Sequence, residues 1–276
     1  MKKILFPTDF SNTASNAFVF ALEFAKILKA EIVLLHTFEL PVVDNQYFPE
    51  NYQYLYDSLE LAKFERFKDE IPKLRAIAEA RGLQDIKLSH KLMDGSLVYN
   101  IRDCVASEKI DFVVMGTAGA TGWTEIFIGT NTGEVINSVG VPVLCVPEEA
   151  KYGKIETIGF TTRFRDKDKE ALDKILKIAH KTNAMVKCLY VKTSKSDVSE
   201  DTIAMWKKDY EHENIQFFVI PSDQVKQTIL EFVNHQEIDV LGMLTYKHHF
   251  FVELFTTGLA EKLTYISEVP ILSLHE

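Results

Sequence analysis

The chain has 276 residues, 46% of them hydrophobic and 26% charged, with a net charge of -9. That length suits two domains of about 140 residues each, and the composition suits a packed core. The charge argues against a general nucleic-acid or anionic-membrane binder, because phosphate contacts need clustered Lys and Arg, and no apolar run is long enough to span a bilayer.

The N-terminal stretch MKKILFPTDF has neither a long apolar region nor a cleavage signal. It reads as a buried strand at 3–7, at the start of a cytoplasmic protein. Residues 13–29 carry Ala17, Phe20, Ala21, Phe24, Ile27 and Leu28 at helical spacing. The strand AEIVLLHTF follows at 30–38. Residues 42–56, rich in Tyr and Asn, read as a long connection that is either a lid, a partner-binding loop or aromatic packing between halves. A helical pattern covers 54–82, with Leu55, Leu59, Ala62, Phe67, Ile71, Leu74 and Ala78 on one face. Pro72 is expected to kink or restart it. IKLSHKL reads as a strand, 96–108 as a helix and IDFVVMG at 110–116 as an almost wholly apolar strand. A helix near 131–138 and the strand VPVLCVP complete a β-α-β-α-β-α-β-α-β order. That order implies a parallel sheet covered on both faces.

The second half replays the first. IETIGFT matches the first strand, and KEALDKILKIAHKTNAMVKCLYVKT matches NAFVFALEFAKILKAEIVLLHTF. IDVLGML at 238–244 matches IDFVVMG, and SEVPILSL matches SVGVPVLCV. Four matches in the same order imply an internal duplication. The charged stretch PEEAKYGK at 147–154 marks the join, giving domains at 1–148 and 154–276. Cys104, Cys145 and Cys188 are scattered singly in apolar contexts. They read as small buried hydrophobes, neither a disulfide framework nor a zinc site. His36 reads as a satisfied core residue, and the adjacent His248 and His249 cannot alone form a tetrahedral metal site.

Five of the twelve glycines fall between Val113 and Ile136: Gly116, Gly119, Gly122, Gly129 and Gly133. Gly116-Thr-Ala-Gly119, nine residues, then Gly129-Thr130 reproduces a G-x2-G-x9-G-[S/T] pattern after an apolar strand and before a helix. With the opening KKILFPTDFS, these residues resemble the universal stress protein family, and the resemblance extends over both halves. It implies an α/β fold of two tandem Rossmann-like domains, each a five-stranded parallel sheet of the adenine nucleotide α-hydrolase-like type. It implies ATP as ligand, with ADP or AMP and a Mg2+ ion as options. Family members usually dimerise, and tandem members carry both protomers in one chain. The resemblance thus implies an intramolecular pseudo-dimer, with a homodimer of whole chains as a further option.

In this reading Gly116 ends a strand at the carboxyl edge, where open α/β sheets bind ligands, and keeps a Cβ out of the ligand's way. Gly119 does the same along the loop. Gly129, Thr130, Asn131 and Thr132 open the following helix, whose free amides suit a phosphate. The alternative is that Thr130 or Asn131 only caps that helix. By resemblance Asp9 contacts ribose and adenine, or else caps the first helix with Ser11. The Thr37 backbone recognises adenine. Pro7 and Met115 line the base or are ordinary core residues. No Lys or Arg lies between Met115 and Ala150, so no local cation meets the outer phosphates as a P-loop lysine would.

The second half has Arg163 at the place of Asp9. Gly242 and Thr245 stand for the two leading glycines. The bulky Tyr246, Phe250 and Phe251 follow, and the only later glycine is Gly258. This predicts one nucleotide site, in the first half, and a degenerate second half. No Ser-His-Asp set, paired carboxylates or Walker lysine accompanies the loop. The reading is therefore an ATP-binding regulatory or stress-response protein, at most a slow ATPase. The alternatives are a nucleotide-free interaction module and a nucleotide-activating enzyme of the same fold.

Overall fold

The structure, a computed structural model, describes residues 1–39, 49–117, 130–245 and 268–275. The first half runs β1 (Lys2–Pro7), α1 (Asn12–Leu28), β2 (Ala30–Phe38), α2 (Pro49–Ala80), β3 (Leu88–Asp94), α3 (Leu97–Ser107), β4 (Phe112–Thr117), α4 (Thr130–Ser138) and β5 (Val143–Pro147). The second runs β6 (Thr157–Thr161), α5 (Asp166–Thr182), β7 (Met185–Lys192), α6 (Glu200–Asp209), β8 (Ile215–Pro221), α7 (Val225–His235), β9 (Val240–Leu244) and β10 (Ile271–Leu274).

Sequence accounts for the local structure. Ser11 caps α1, its Oγ accepting the Ala14 N–H at 3.1 Å. Lys29 then ends the helix in the left-handed region at φ 54°, and its N–H returns to the Ala25 and Lys26 carbonyls. Between the caps, Ala17, Phe20, Ala21 and Phe24 recur at helical spacing, and all are buried. The α2 helix starts earlier than the periodicity predicts. Pro49 suits a first helical position, where its missing N–H has no partner to lose. Residues 49–56 are thus helix rather than connection, and residues 40–48 lie outside the described ones. Pro72 sits inside one continuous helix, so the expected restart is absent. Along the apolar stripe of α2, Phe67, Leu74 and Ala78 are buried, whereas Ala62 is exposed.

The strands form one ten-stranded sheet in the order β3-β2-β1-β4-β5-β10-β9-β6-β7-β8. Pairing is parallel within each half. Where the halves meet, β5 and β10 run antiparallel, with Cys145 opposite Ile271 and Val143 opposite Ser273. The two expected five-stranded sheets are therefore joined edge to edge through their fifth strands. This covers two edges that would otherwise offer unpaired N–H and C=O groups. On one face α1 and α5 pack beside each other, and Lys181 Nζ donates to the Ile27 carbonyl at 3.3 Å. Asn16 of α1 holds the chain leaving β5, its Nδ2 donating to the Ala150 carbonyl at 2.7 Å. Tyr152 meets the Phe20 ring edge-on at 5.1 Å, with the Arg81 guanidinium over its ring. The three cysteines are buried free thiols, as their apolar contexts implied. Burial pushes Cys104, Cys145 and Cys188 all upward from the ordinary thiol range.

Near the opposite, amino edge of the first half, Glu108 meets Lys91 Nζ at 2.6 Å and Lys3 Nζ at 3.0 Å. These hydrogen bonds, that from Lys91 above all, hold its carboxyl down at about 2 from an ordinary 4.5. A depressed folded value means a stabilising contribution present above pH 4.5 and lost as pH falls towards 2. Replacing Glu108 with Gln is expected to flatten that part of the stability profile. Urea midpoints for both proteins between pH 5 and 2.5 check it; parallel profiles would contradict it.

Candidate functional site

The carboxyl edge of the first half gathers the ends of β1, β2 and β4 and the start of α4. This is the crevice where open α/β sheets take ligands. The turn after β1 is tightly specified. Thr8 N–H donates to the Leu35 carbonyl at 2.8 Å, and Thr8 Oγ1 accepts the Phe10 N–H at 3.0 Å. Phe10 sits in the left-handed region at φ 64°. Its ring packs on His36 and Phe67, with centroids 4.9 and 5.9 Å away. His36 Nδ1 lies 2.7 Å from the Thr8 carbonyl, so that nitrogen carries the proton and donates. His36 is thus satisfied, as expected, and it also braces the turn.

Asp9 stands exposed at the tip of this turn. Its Oδ1 accepts the Ser11 N–H at 3.0 Å, closing an Asx turn, while Ser11 itself caps α1. The capping role weighed for Asp9 therefore belongs to Ser11. Among the described residues Oδ2 of Asp9 makes no hydrogen bond. Thr37 is half-buried near the end of β2 and pairs with Met93 of β3. Pro7 ends β1, buried and opposite Leu35. Met115 is 4% exposed, in the core cluster with Leu5, Leu35 and Ile136, so it behaves as a core residue.

Gly116 has a packing reason beside the one its motif suggests. A Cβ there would lie 3.1 Å from the Thr13 carbonyl oxygen and 3.2 Å from Thr13 Cγ2. The missing side chain lets the first turn of α1 press against β4. The α4 helix begins at Thr130, one residue before the expected start, so Thr130, Asn131 and Thr132 form its first turn. Thr132 is only 3% exposed. Gly119, Gly122 and Gly129 lie outside the described residues, as do Tyr246, His248, His249, Phe250, Phe251 and Gly258.

The second half repeats the turn in detail. Thr162 N–H donates to the Leu189 carbonyl at 2.9 Å, Thr162 Oγ1 accepts the Phe164 N–H at 2.9 Å, and Phe164 has φ 55°. Arg163 replaces Asp9 at the tip. A second carboxylate, Asp168, is fully buried. Its Oδ2 accepts from Arg163 N at 2.7 Å, Arg165 N at 3.0 Å and Thr162 Oγ1 at 3.2 Å. Sequence reasoning missed Asp168; its signal is an acid three residues after Arg165, in the first turn of α5.

Register also corrects one correspondence. Phe112 pairs with Ile4 and Val240 with Ile158, so Gly116 corresponds to Leu244 and Gly242 to Val114. Gly242 is therefore not the leading glycine of a lost phosphate loop. A Cβ on it would meet Ile175 Cδ1 at 2.5 Å. Ile175 and Gly242 stand where the first half has Ala21 and Val114, a large-for-small exchange between helix and strand.

The family model for the universal stress protein family matches residues 1–147 of the 276. The chain belongs to the universal stress protein family. Two universal stress proteins of Methanocaldococcus jannaschii resemble it. One is 27% identical over 150 residues, covering 54% of this chain and 84% of the relative. The other is 31% identical over 156 residues, covering 52% and 94%. A universal stress protein structure from Archaeoglobus fulgidus superposes with a TM-score of 0.74 over 99% of this chain and 98% of that one, at 19% identity. A putative universal stress protein from Pseudomonas aeruginosa gives 0.61 over 100% and 93%, at 11% identity. Both share the fold across the whole length of the chain. Among the described residues no helix is long and apolar enough to cross a membrane, and no cluster of three His, Cys, Asp or Glu side chains could hold a metal.

Proposed function

We propose that this universal stress protein binds an adenine nucleotide, ATP in particular, at the carboxyl edge of its first half and serves as a cytoplasmic regulatory or stress-response protein. The observation that carries the reading is the Pro7–Phe10 turn. It is braced by His36 and presents the exposed Asp9 carboxylate just past the carboxyl end of β1, the strand that pairs with β4. Asp9 suits a ribose hydroxyl donor through its second oxygen. The first-turn amides of α4 suit phosphate, with Gly119 and Gly129 allowing its approach. The absence of Lys and Arg from Met115 to Ala150 leaves neutralisation to those amides, with Mg2+ as an auxiliary. The same absence disfavours rapid phosphoryl chemistry, which needs a cation on the developing charge.

The two units we assign are 1–148 and 154–276. The antiparallel β5–β10 pairing supports reading them as an intramolecular pseudo-dimer. Calorimetric titration of the full chain with ATP, ADP and AMP tests the site. ATP is expected to bind once per chain, and Gly129→Val to weaken it at least tenfold. No binding of any of the three to the unmodified chain would overturn the nucleotide reading, and equal affinity in the variant would overturn the site.

A further inference from the structure

The ten-stranded sheet ends on β3 at one side and on β8 at the other. The two strands hold the same place in their halves, and their sequences treat it differently. β3 carries Lys91, which meets Glu108 at 2.6 Å, and ends at Asp94. Charges of this kind on an edge discourage pairing with a further strand. β8 reads IQFFVIP, and no charged residue stands between Glu213 and Asp223. It pairs with β7 in unbroken register, from Val186–Ile215 to Lys192–Pro221, so no bulge turns the edge away. Phe217, Phe218, Val219 and Ile220 are each half-buried.

Two backbone bonds bracket this strand. Val186 N–H donates to the Asn214 carbonyl at 2.9 Å, and Ser222 N–H donates to the Lys192 carbonyl at 3.0 Å. Backbone groups alternate in direction along a strand, so residues 214, 216, 218, 220 and 222 turn theirs towards β7. Ile215, Phe217, Val219 and Pro221 turn theirs outward, where no described strand lies. Ile215 N–H is met by the Glu213 carbonyl, and proline has no N–H. Among the described residues, the edge donors left open are the N–H groups of Phe217 and Val219, each with its carbonyl beside it.

We infer that a second copy of this chain pairs along β8, antiparallel, about a two-fold axis at Phe218. In that register Phe217 faces the partner's Val219, and Val219 faces the partner's Phe217. Each such pair exchanges both its N–H groups and carbonyls, which satisfies the open donors of both copies. Aromatic against β-branched side chains, and Phe218 against the partner's Phe218, are pairs that stabilise a sheet. The uncharged stretch meets only itself. The charges just beyond it are held within their own chain, Glu213 by His180 Nε2 at 2.5 Å and Asp223 by the Ser194 N–H at 2.7 Å. A groove of about 490 Å3 runs beside the amino end of β8, lined in part by Tyr210, Ile215, Gln216 and Phe217. Ile215 and Gln216 stand opposite the partner's Pro221 and Ile220, whose apolar side chains enter it. The fifth-strand edges are already spent on each other inside the chain, and β8 repeats their antiparallel joining between chains.

Sedimentation velocity of the full chain over about 1–300 µM tests this, a range suited to a small interface. A reversible monomer–dimer equilibrium is expected. In the dimer the Phe217 and Val219 amides are expected to exchange hydrogen at least about tenfold more slowly than in the monomer, with Phe218 and Ile220 changed less than about twofold. Val219→Pro removes an N–H that makes no ladder bond to β7 and is expected to raise the dimer dissociation constant at least about tenfold. Val219→Ala keeps that N–H and is expected to raise it less than about threefold. Thermal midpoints report the fold of both variants. Should Val219→Pro not fold, amide exchange in the unmodified chain decides by itself. Three results would overturn the proposal: a monomer throughout the range, a dimer whose Phe217 and Val219 amides exchange as in the monomer, or a folded Val219→Pro chain that dimerises like the parent.

Discussion

Asp168→Ala is expected to destabilise the protein by about 3–5 kcal/mol, the range seen when one member of a buried charged network is removed. Asp168 is wholly buried, and its Oδ2 alone receives two backbone N–H groups and the Thr162 hydroxyl. Deleting the carboxylate leaves those donors facing protein instead of water. The turn that positions Arg163 and Phe164 then loses the group that closes it. Asp168→Asn keeps one acceptor oxygen and is expected to lose about half as much. In the first half Ala14 holds the corresponding position, and the same task falls to Ser11 and Asp9, both at the surface or near it. Ser11→Ala is accordingly expected to cost only about 1 kcal/mol. Urea denaturation of the three variants checks the ranking. An Asp168→Ala loss below that of Ser11→Ala would contradict it.

Gly116→Val is expected to destabilise by about 2–3 kcal/mol, near the upper end of overpacking effects. The Cβ alone would press on the Thr13 carbonyl oxygen at 3.1 Å, and the two added methyls have no route around the first turn of α1. Gly116→Ala is expected to lose about 1 kcal/mol, because a shift of a few tenths of an ångström relieves it. Thr13→Ala does not rescue the valine, since the nearest obstacle is backbone oxygen rather than the Thr13 methyl. Nucleotide affinity is expected to fall with the valine as the Pro7–Phe10 turn and α1 are displaced, while Gly116→Ala keeps most of it. Unchanged stability in the valine variant would remove the packing role assigned here.

Much of the fold was legible in the chain because helix and strand periods are local. The Ser11 cap of α1, the apolar β4 and the repeated β-α order all follow from short windows. The starts that shifted, such as Pro49 for α2, fall where polar residues and a favourable N1 proline outweigh a weak apolar stripe. What lay beyond local pattern was partnership. Period identifies a buried face but not its neighbour, so the antiparallel β5–β10 seam and the contact between Gly116 and Thr13 could not be read. Motif spacing also misled at Gly242. Its glycine makes room for Ile175, and pairing register sets it at Val114, as the residue-by-residue match of IDVLGML with IDFVVMG also does, and not at Gly116. In the second half, the visible losses drew attention from what replaced them: Asp168 under the turn and Arg163 at the tip.

The central claim is that the two halves share one turn but only the first uses it for a nucleotide. Amide chemical-shift mapping of the isotopically labelled full chain during ATP titration tests this most directly. The expected result is saturable shifts at Thr8–Ser11, Thr117 and Thr130–Thr132, with Thr162–Arg165 unmoved. Shifts at Thr162–Arg165 in place of the first-half turn, or no saturable shifts in either, would contradict it.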